Sequence, residues 1–431
     1  MESTAGESTL ELRKPSELPY EIIEYILSYI LGSGERTKTN LTYSEISWTW
    51  RLACARYLFS SIVVAGADKF PRFVAFIQLE RNKRFASCIR SLLVKPKPEP
   101  GPHPSGEVFV TSGILSSVLD ALPNLKDVHL HAVRLEITSQ CPVKRTDVLP
   151  PPRLFEVDSL TLDGMTTANG GMTKNLPNFL KIFRLFARIG TLKVSAAPTI
   201  ADLNAWTDPD SQFDTYPPSI FPPQLQVDRI VGDFPVKLWH HFLLRTSTIE
   251  QQSLVAVDLR VPVEQMRDIG AFLNAGGSNV RSLVIHVSPV TRRFDFSNIA
   301  VDMDLSACTN LERVALHLPG QGGHSRWTLI NGIVSSLPIE TVARLTLVGA
   351  SMMIWSDLQD GLIDGLQRLQ SLLSRFYVLK EVVLVDINYD DYMPDPIAHY
   401  KKFVEGFLLT DTRRSFQLLY KTHAPMDSNF T

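Results

Sequence analysis

A six-residue apolar pattern that recurs about every 32 residues constrains the fold of this chain more than any other feature. Each copy has an apolar residue, two free positions, a second apolar residue, one free position and a third apolar residue. The copies begin at Ile89, Leu125, Val157, Ile189, Val227, Leu254, Val280, Leu311, Val342 and Leu379. The copy at Val227 lacks its third apolar residue, because Gly232 stands there. Apolar residues that alternate with polar ones are typical of a β-strand with one buried face.

The segments between the copies have helical periodicity. We predict helices over 114–122, 176–189, 236–246, 263–273, 329–337, 358–376 and 397–409. Strands that alternate with helices must run parallel, since the helix serves as the crossover. A steady period is typical of a solenoid, in which each unit buries its face against its neighbours.

The predicted fold class is therefore α/β. Over residues 65–431 we expect an irregular, leucine-rich-repeat-like solenoid with parallel strands and outer helices. The usual repeat has an asparagine shortly after the last apolar position, and these copies lack it, so irregular curvature is expected. An ordinary doubly wound α/β sheet is the alternative.

If each copy is a strand, its third, fifth and seventh residues face away from the buried side. In the later copies these positions are basic and partly apolar. We expect them to recognise an acidic or amphipathic peptide of a protein substrate. The candidate substrate-binding residues are His286, Arg313, His317, Arg344 and Thr346. An ordinary solvated strand face with scattered charges is the alternative interpretation.

Before the repeats, residues 15–64 are predicted to form a small helical module, and residues 1–14 a disordered polar tail. The first helix opens at Leu18-Pro19, where proline suits the first turn. The second helix is expected to follow a capping box made by Thr42 and Glu45. Short helices with this much apolar surface cannot bury it among themselves, which indicates a partner. A helical cap packed on the repeats is the alternative.

Two stretches of this module resemble an F-box. The chain from Leu18 resembles the opening LPxEIIxxIL, and residues 44–59 resemble the segment SLVSRxWRxxARxxLF. The matching residues are Leu18, Pro19, Glu21, Ile22, Ile23, Ile26, Leu27, Ile46, Ser47, Trp50, Arg51, Arg56, Leu58 and Phe59. The chain is especially similar to fungal F-box-like proteins whose remaining chain is a degenerate leucine-rich repeat array.

This resemblance implies a docking site for a Skp-type adaptor subunit, through which a cullin–RING (SCF-type) ubiquitin ligase is recruited. The residues implied for that interface, or for the small core beneath it, are Leu18, Pro19, Ile22, Ile26, Trp50, Leu58 and Phe59. The chain would then be a non-catalytic subunit that binds its adaptor through the helices and a protein substrate through the solenoid. A protein-binding scaffold unconnected to ubiquitin transfer is the alternative function.

Composition excludes several other classes. A formal net charge of -2 gives no global field that would favour nucleic acid. No apolar run approaches the roughly 20 residues that span a bilayer, so no membrane association is expected. The four cysteines form no CxxC pair and are expected to be free thiols, mostly buried. The polar N-terminus is not a secretory signal, and we expect an intracellular protein of the cytoplasm or nucleus.

We expect neither catalysis nor a cofactor or metal. The sequence contains no GxSxG, HExxH or kinase-like set of motifs. His240 and His241 are adjacent on a predicted helix, so they point apart and have no third ligand nearby in sequence. A third functional hypothesis, an enzyme that uses Asp127, His129 and His131 on one strand face, has the least support.

Overall fold

The computed structural model describes residues 18–31, 45–97, 108–135, 154–164, 182–195, 225–232, 253–262, 266–288, 303, 305–318, 323–350, 359–388 and 415–422. Several predictions concern residues outside these ranges: the tail over 1–14, the helices over 236–246 and 397–409, Cys141, and the His240-His241 pair. None of the described helices is both long enough and apolar enough to cross a membrane.

The described elements are eight α-helices, one short 3-10 helix (Glu80–Asn82) and fourteen strands. The helices are α1 (Tyr20–Leu31), α2 (Trp48–Leu58), α3 (Lys69–Gln78), α4 (Lys83–Ala86), α5 (Ser112–Ala121), α6 (Met266–Gly276), α7 (Gly323–Ser335) and α8 (Gln359–Leu373). The first strands are β1 (Ser61–Ala65), β2 (Ser91–Lys95), β3 (Val108–Val110), β4 (Asp127–His131), β5 (Val133–Leu135), β6 (Phe155–Asp163) and β7 (Phe186–Ser195). The later strands are β8 (Gln226–Gly232), β9 (Ala256–Pro262), β10 (Ser282–Ser288), β11 (Arg313–Leu318), β12 (Arg344–Ala350), β13 (Glu381–Asn388) and β14 (Ser415–Thr422).

The chain divides into two compact units. The first comprises residues 1–108 and 113–129. It contains α1 to α4, and its strands lie in the order β1, β2, β4. Strand β1 runs parallel to β2, with Ser61 opposite Ser91 and Val64 opposite Val94. The stretch 15–64 thus includes a strand of the sheet as well as helices.

The second unit comprises residues 109–112 and 130–431. Its strands from β6 to β14 lie side by side in chain order, and each neighbouring pair is parallel. The predicted α/β class with parallel strands is therefore confirmed. Helices α6, α7 and α8 contribute buried residues such as Phe272, Ile333 and Leu369 to the core of this unit.

All ten copies of the apolar pattern supply strand residues or the residues just before a strand. Their apolar side chains are no more than 6% exposed. On the strands β10 to β12 the free positions between them are mostly half-buried or exposed. The predicted alternation of a buried and an outward face is confirmed.

The strand starts share one backbone geometry. The amides of Glu312 and Arg313 both donate to the carbonyl of Arg281, at 2.9 Å each. One repeat later, the amides of Ala343 and Arg344 both donate to the carbonyl of Glu312, at 2.8 and 3.0 Å. This forked hydrogen bond explains the regular advance from one strand to the next.

Two asparagines that precede copies of the apolar pattern form hydrogen bonds to the backbone near the previous copy. The side-chain amide of Asn310 donates to the carbonyl of Ser278 at 2.8 Å, and that of Asn124 donates to the carbonyl of Ser87 at 2.7 Å. Each asparagine stands one residue before a copy of the pattern.

Gly232 explains why the copy at Val227 is degenerate. Its φ of 150° is a backbone conformation that L side chains rarely adopt. A Cβ at this position would also collide with the carbonyl oxygen of Val194, the residue directly opposite on β7. An apolar side chain cannot occupy the third position of this copy.

Two local predictions were wrong. The helix expected over 176–189 extends too far, because residues from Phe186 onward belong to β7, where Phe186 and Ile189 are buried and paired with β6. Residues 182 and 183 are helical, and residues 176–181 lie outside the described ranges. The capping box expected of Thr42 and Glu45 does not start α2. Ser47 is the N-cap instead, and its hydroxyl accepts from the amide of Trp50 at 3.4 Å. Thr42 lies outside the described residues.

Candidate functional site

Helices α1 and α2 pack around a small core of their own. Its fully buried side chains come from positions spaced three or four residues apart on each helix, which places them on one face. They are Ile23, Leu27, Trp50, Ala53 and Cys54, and Tyr20, Ile26, Tyr57 and Leu58 pack against them. The sulfur of Cys54 is enclosed here, and burial raises the pKa of its thiol.

Glu24 ties the two helices together at the edge of this core. Its carboxylate accepts from Arg56 Nη1 at 2.7 Å and from the Tyr20 hydroxyl at 3.0 Å. Its carbonyl accepts from the Tyr57 hydroxyl at 3.4 Å. The Arg56 guanidinium also lies over the Tyr20 ring, 5.4 Å from its centroid. Because these groups are partly solvated, they fix orientation more than they add stability.

The structure separates the implied adaptor-binding residues into surface and core. Leu18, Pro19 and Ile22 are exposed, with Ile22 at 48%. Trp50 is 6% exposed and belongs to the core between the helices. Its size fills that core, so its surface is not presented to a partner.

Of the remaining implied residues, two are half-buried and Phe59 is 36% exposed. Ile26 and Leu58 are half-buried and pack against the core of α1 and α2. Phe59 contacts the Phe85 ring edge to face, with 4.5 Å between centroids, and Phe85 in turn meets Phe76 at 5.3 Å. Part of the Phe59 ring surface is therefore covered by contacts within the first unit.

Three further exposed apolar residues of the first unit are not among the implied adaptor-binding residues. Tyr25 is 73% exposed and Trp48 is 64% exposed, and Ile46 is also exposed. Tyr25 lies three residues after Ile22, so these two side chains share one face of α1, and Leu18 lies two residues before the helix begins. That spacing was readable in the sequence. The exposure of Ile46 was not, since the expected helix start would have placed it on the buried side.

The outward face of the second unit is organised in rows across the strands. In-register pairing places Arg229, Ala256, Ser282, Arg313, Arg344 and Glu381 in one row, from β8 to β13. Four positions further along the strands, a second row holds Arg260, His286, His317, Val348 and Val385. All five candidate substrate-binding residues lie on this face, between β10 and β12.

The two histidines of the second row are in contact. The rings of His286 and His317 stack with 4.0 Å between centroids. His286 Nε2 also lies 3.1 Å from Asp258 Oδ1, and Arg229 Nη2 lies 3.4 Å from Asp258 Oδ2. Asp258 therefore joins an arginine and an imidazole from the strands on either side of it.

The ionisation of this cluster follows from burial and mutual charge. Burial, and next the adjacent His286, lower the pKa of His317 to about 4. For Asp258, burial alone would raise the pKa, but the hydrogen bond and charge of His286 and the charge of Arg229 outweigh it, and the net pKa is lowered. An ionised Asp258 and a neutral His317 are the forms expected at neutral pH.

Two cations of the first row are exposed. Arg313 is exposed, and the Arg344 side chain is 49% exposed. Arg344 Nε lies 3.1 Å from Glu381 Oε2, its in-register neighbour on β13. Thr346 is half-buried, two residues further along β12.

The contacts that join these residues could not be read from the sequence. The alternation within each copy places Asp258 and Glu381 on the outward face. Their partners depend on the strand register, which the uneven intervals between copies leave open. Toward β13 the same face becomes covered, since Val348, Val383 and Val385 form a buried cluster. Among the candidate substrate-binding residues, the exposed ones are Arg313 and Arg344.

Of the residues in the third hypothesis, His131 contacts an aspartate that the hypothesis did not include. His131 Nδ1 lies 2.7 Å from Asp163 Oδ2 within the second unit, while Asp127 and His129 belong to the first. The two thiols of Cys54 and Cys308 are buried, as expected, and Cys88 is half-buried.

A scan against models of known protein families and a search of curated proteins give no match to this chain.

Proposed function

We propose that this chain is the substrate-recognition subunit of an SCF-type ubiquitin ligase. In this proposal α1 and α2 belong to an F-box-like module that docks a Skp-type adaptor, and the parallel strands form a leucine-rich-repeat-like solenoid that holds a protein substrate. Catalysis takes place in the partner enzyme, and this chain contributes proximity.

The observation that carries the proposal is the exposed apolar face of α1. Leu18, Ile22 and Tyr25 lie outside a core that is already filled by the opposite face of the same helix. Exposed apolar side chains grouped in this way mark a protein-binding surface. Leu18 and Ile22 are among the residues for which the F-box resemblance implies an adaptor contact.

The solenoid part rests on strand order and repeated geometry. From β6 to β14 each strand lies next to its predecessor in the chain. In a doubly wound sheet, by contrast, the order of the strands reverses at a switch point. The forked hydrogen bonds at successive strand starts also recur from copy to copy.

Co-purification with a Skp-type adaptor tests the proposal. The double substitution Pro19→Ala, Ile22→Asp should abolish binding, because it places a charge in the apolar face while the Pro19 carbonyl can still accept from the amides of Ile22 and Ile23. The matched control is Leu79→Asp, which puts the same charge at another exposed apolar residue of the first unit. Retained binding in the double variant would show that the interface lies elsewhere, and no binding by the wild type would leave a scaffold function.

A further inference from the structure

The outward face of β10 to β12 has an unbalanced charge. Its third, fifth and seventh pattern positions are Ser282, Val284, His286, Arg313, Ala315, His317, Arg344, Thr346 and Val348. These positions include two arginines and two histidines and no acidic residue, in a chain whose net charge is -2. The acidic residues of the same face stand at its borders, Asp258 on β9 and Glu381 on β13.

The border carboxylates are already engaged by the outer cations. Asp258 contacts Arg229 and His286, and Glu381 contacts Arg344. The arginines at both ends of the first row thus each have a carboxylate from the next strand. Arg229 and Arg344 therefore each have one carboxylate partner.

Arg313 breaks that pattern. Its in-register neighbours are Ser282 on β10 and Arg344 on β12, so neither adjacent strand offers it a carboxylate in the row. Like charges directly opposite each other on neighbouring strands are unfavourable. An anion placed between the guanidinium groups of Arg313 and Arg344 would remove this repulsion, and both side chains are exposed to receive one.

We propose that this row binds an acidic, extended segment of a partner protein and that a carboxylate of the segment lies at Arg313, shared with Arg344. This rests on the proposed function in that it assigns a chemical class to the substrate of the same face. Arginine can donate two parallel hydrogen bonds to one carboxylate. Within the first row, Arg344 already contacts a carboxylate, since its Nε lies 3.1 Å from Glu381 Oε2.

The experiment uses the full chain and a short fluorescein-labelled peptide of alternating glutamate and alanine. In an extended peptide this alternation places the carboxylates on one side. Fluorescence anisotropy should show binding that weakens as salt is added. Arg313→Ala should bind about tenfold more weakly, because a charge-assisted hydrogen-bonded pair is lost. The matched control Arg368→Ala removes an exposed arginine of α8 and should bind as the wild type does.

Charge exchange separates a direct contact from a structural effect. Arg313→Glu should lose the glutamate peptide and gain the corresponding lysine peptide. Equal binding of a glutamine peptide, or binding of a phosphoserine peptide alone, would overturn the proposal of a carboxylate ligand. A self-associated wild type that Arg313→Glu dissociates would also overturn it, since a second copy of the chain would then occupy the face.

The outcome is independent of the adaptor experiment. Adaptor binding without peptide binding would overturn this inference and leave the proposed docking function intact. Peptide binding without adaptor binding would support the inference and contradict the ligase role.

Discussion

At the scale of single residues, the sequence predicted which side chains are buried but not which polar side chains meet. The alternation within each copy assigned Leu345, Leu347 and their equivalents to the core, where they lie. It also placed His286 and His317 on the outward face. Their stacking against each other, and the link through Asp258 to Arg229, require the register between four strands, and no local pattern encodes that register.

The His317 cluster gives a pH dependence with a definite sign. The folded pKa of His317, about 4, lies below the ordinary value of about 6.5. Between these values the unfolded chain binds a proton that the folded chain does not, so stability falls as pH falls. The loss should reach about 2 kcal/mol at pH 5 relative to pH 7. The groups that face His317 are His286, Asp258 and Arg260.

Urea unfolding followed by circular dichroism at both pH values measures this effect. His317→Gln should remove the contribution of His317 and leave a smaller difference between pH 5 and pH 7. An identical difference in the wild type and the variant would show that His317 does not titrate as described.

Gly232→Ala tests the explanation of the degenerate copy. The added Cβ would meet the Val194 carbonyl, and the positive φ would be strained as well. We expect a loss of roughly 3 kcal/mol in the free energy of unfolding. Val231→Ala, at the preceding half-buried position, should cost about 1 kcal/mol or less. Equal costs for the two changes would contradict the close approach of β7 and β8.

At the scale of elements, the contact between α7 and α8 depends on a glycine, a residue that helix propensity alone would disfavour. Gly365 lies within α8, where its backbone faces the Trp327 side chain of α7. A Cβ there would be 2.5 Å from Trp327 Cγ, and the Gly365 carbonyl accepts from Asn331 Nδ2 at 3.1 Å. The predicted helices over 329–337 and 358–376 overlap α7 and α8, but their crossing point could not be predicted.

Gly365→Ala should therefore have the opposite sign from an ordinary glycine-to-alanine change in a helix. Propensity favours alanine by about 1 kcal/mol, whereas the clash with a buried indole should cost more, for a net loss of about 1–2 kcal/mol. A double-mutant cycle with Trp327→Ala should recover the favourable effect of alanine, because the clash disappears. Stabilisation by Gly365→Ala alone would mean that α7 and α8 are not packed at this point.

At the scale of the whole chain, the period of the apolar pattern predicts the parallel strands. It does not predict β1 and β14, which lie at the two ends of the strand order. Phe59, Ile62 and Val64 fit the pattern and align with the copy on β2. They were assigned to the helical module because Phe59 ends α2. At the other end, β14 was missed because Arg413 replaces the first apolar residue of its copy.

The two units divide the proposed function between them. The first unit has the exposed apolar face of α1, and the second has the cationic face of β10 to β12. Apolar contact suits a constant partner such as an adaptor, while charge suits selection among variable segments. The amino-acid sequence indicated both surfaces, but only the structure separated the surface of α1 from the core beneath it.

The central claim is that the apolar face of α1 docks a Skp-type adaptor, and isothermal titration of the full chain with purified adaptor tests it most directly. We expect a complex with micromolar or tighter affinity that Ile22→Asp abolishes and Leu79→Asp leaves unchanged. The absence of heat of binding at micromolar concentrations, or unchanged affinity in Ile22→Asp, would contradict the claim.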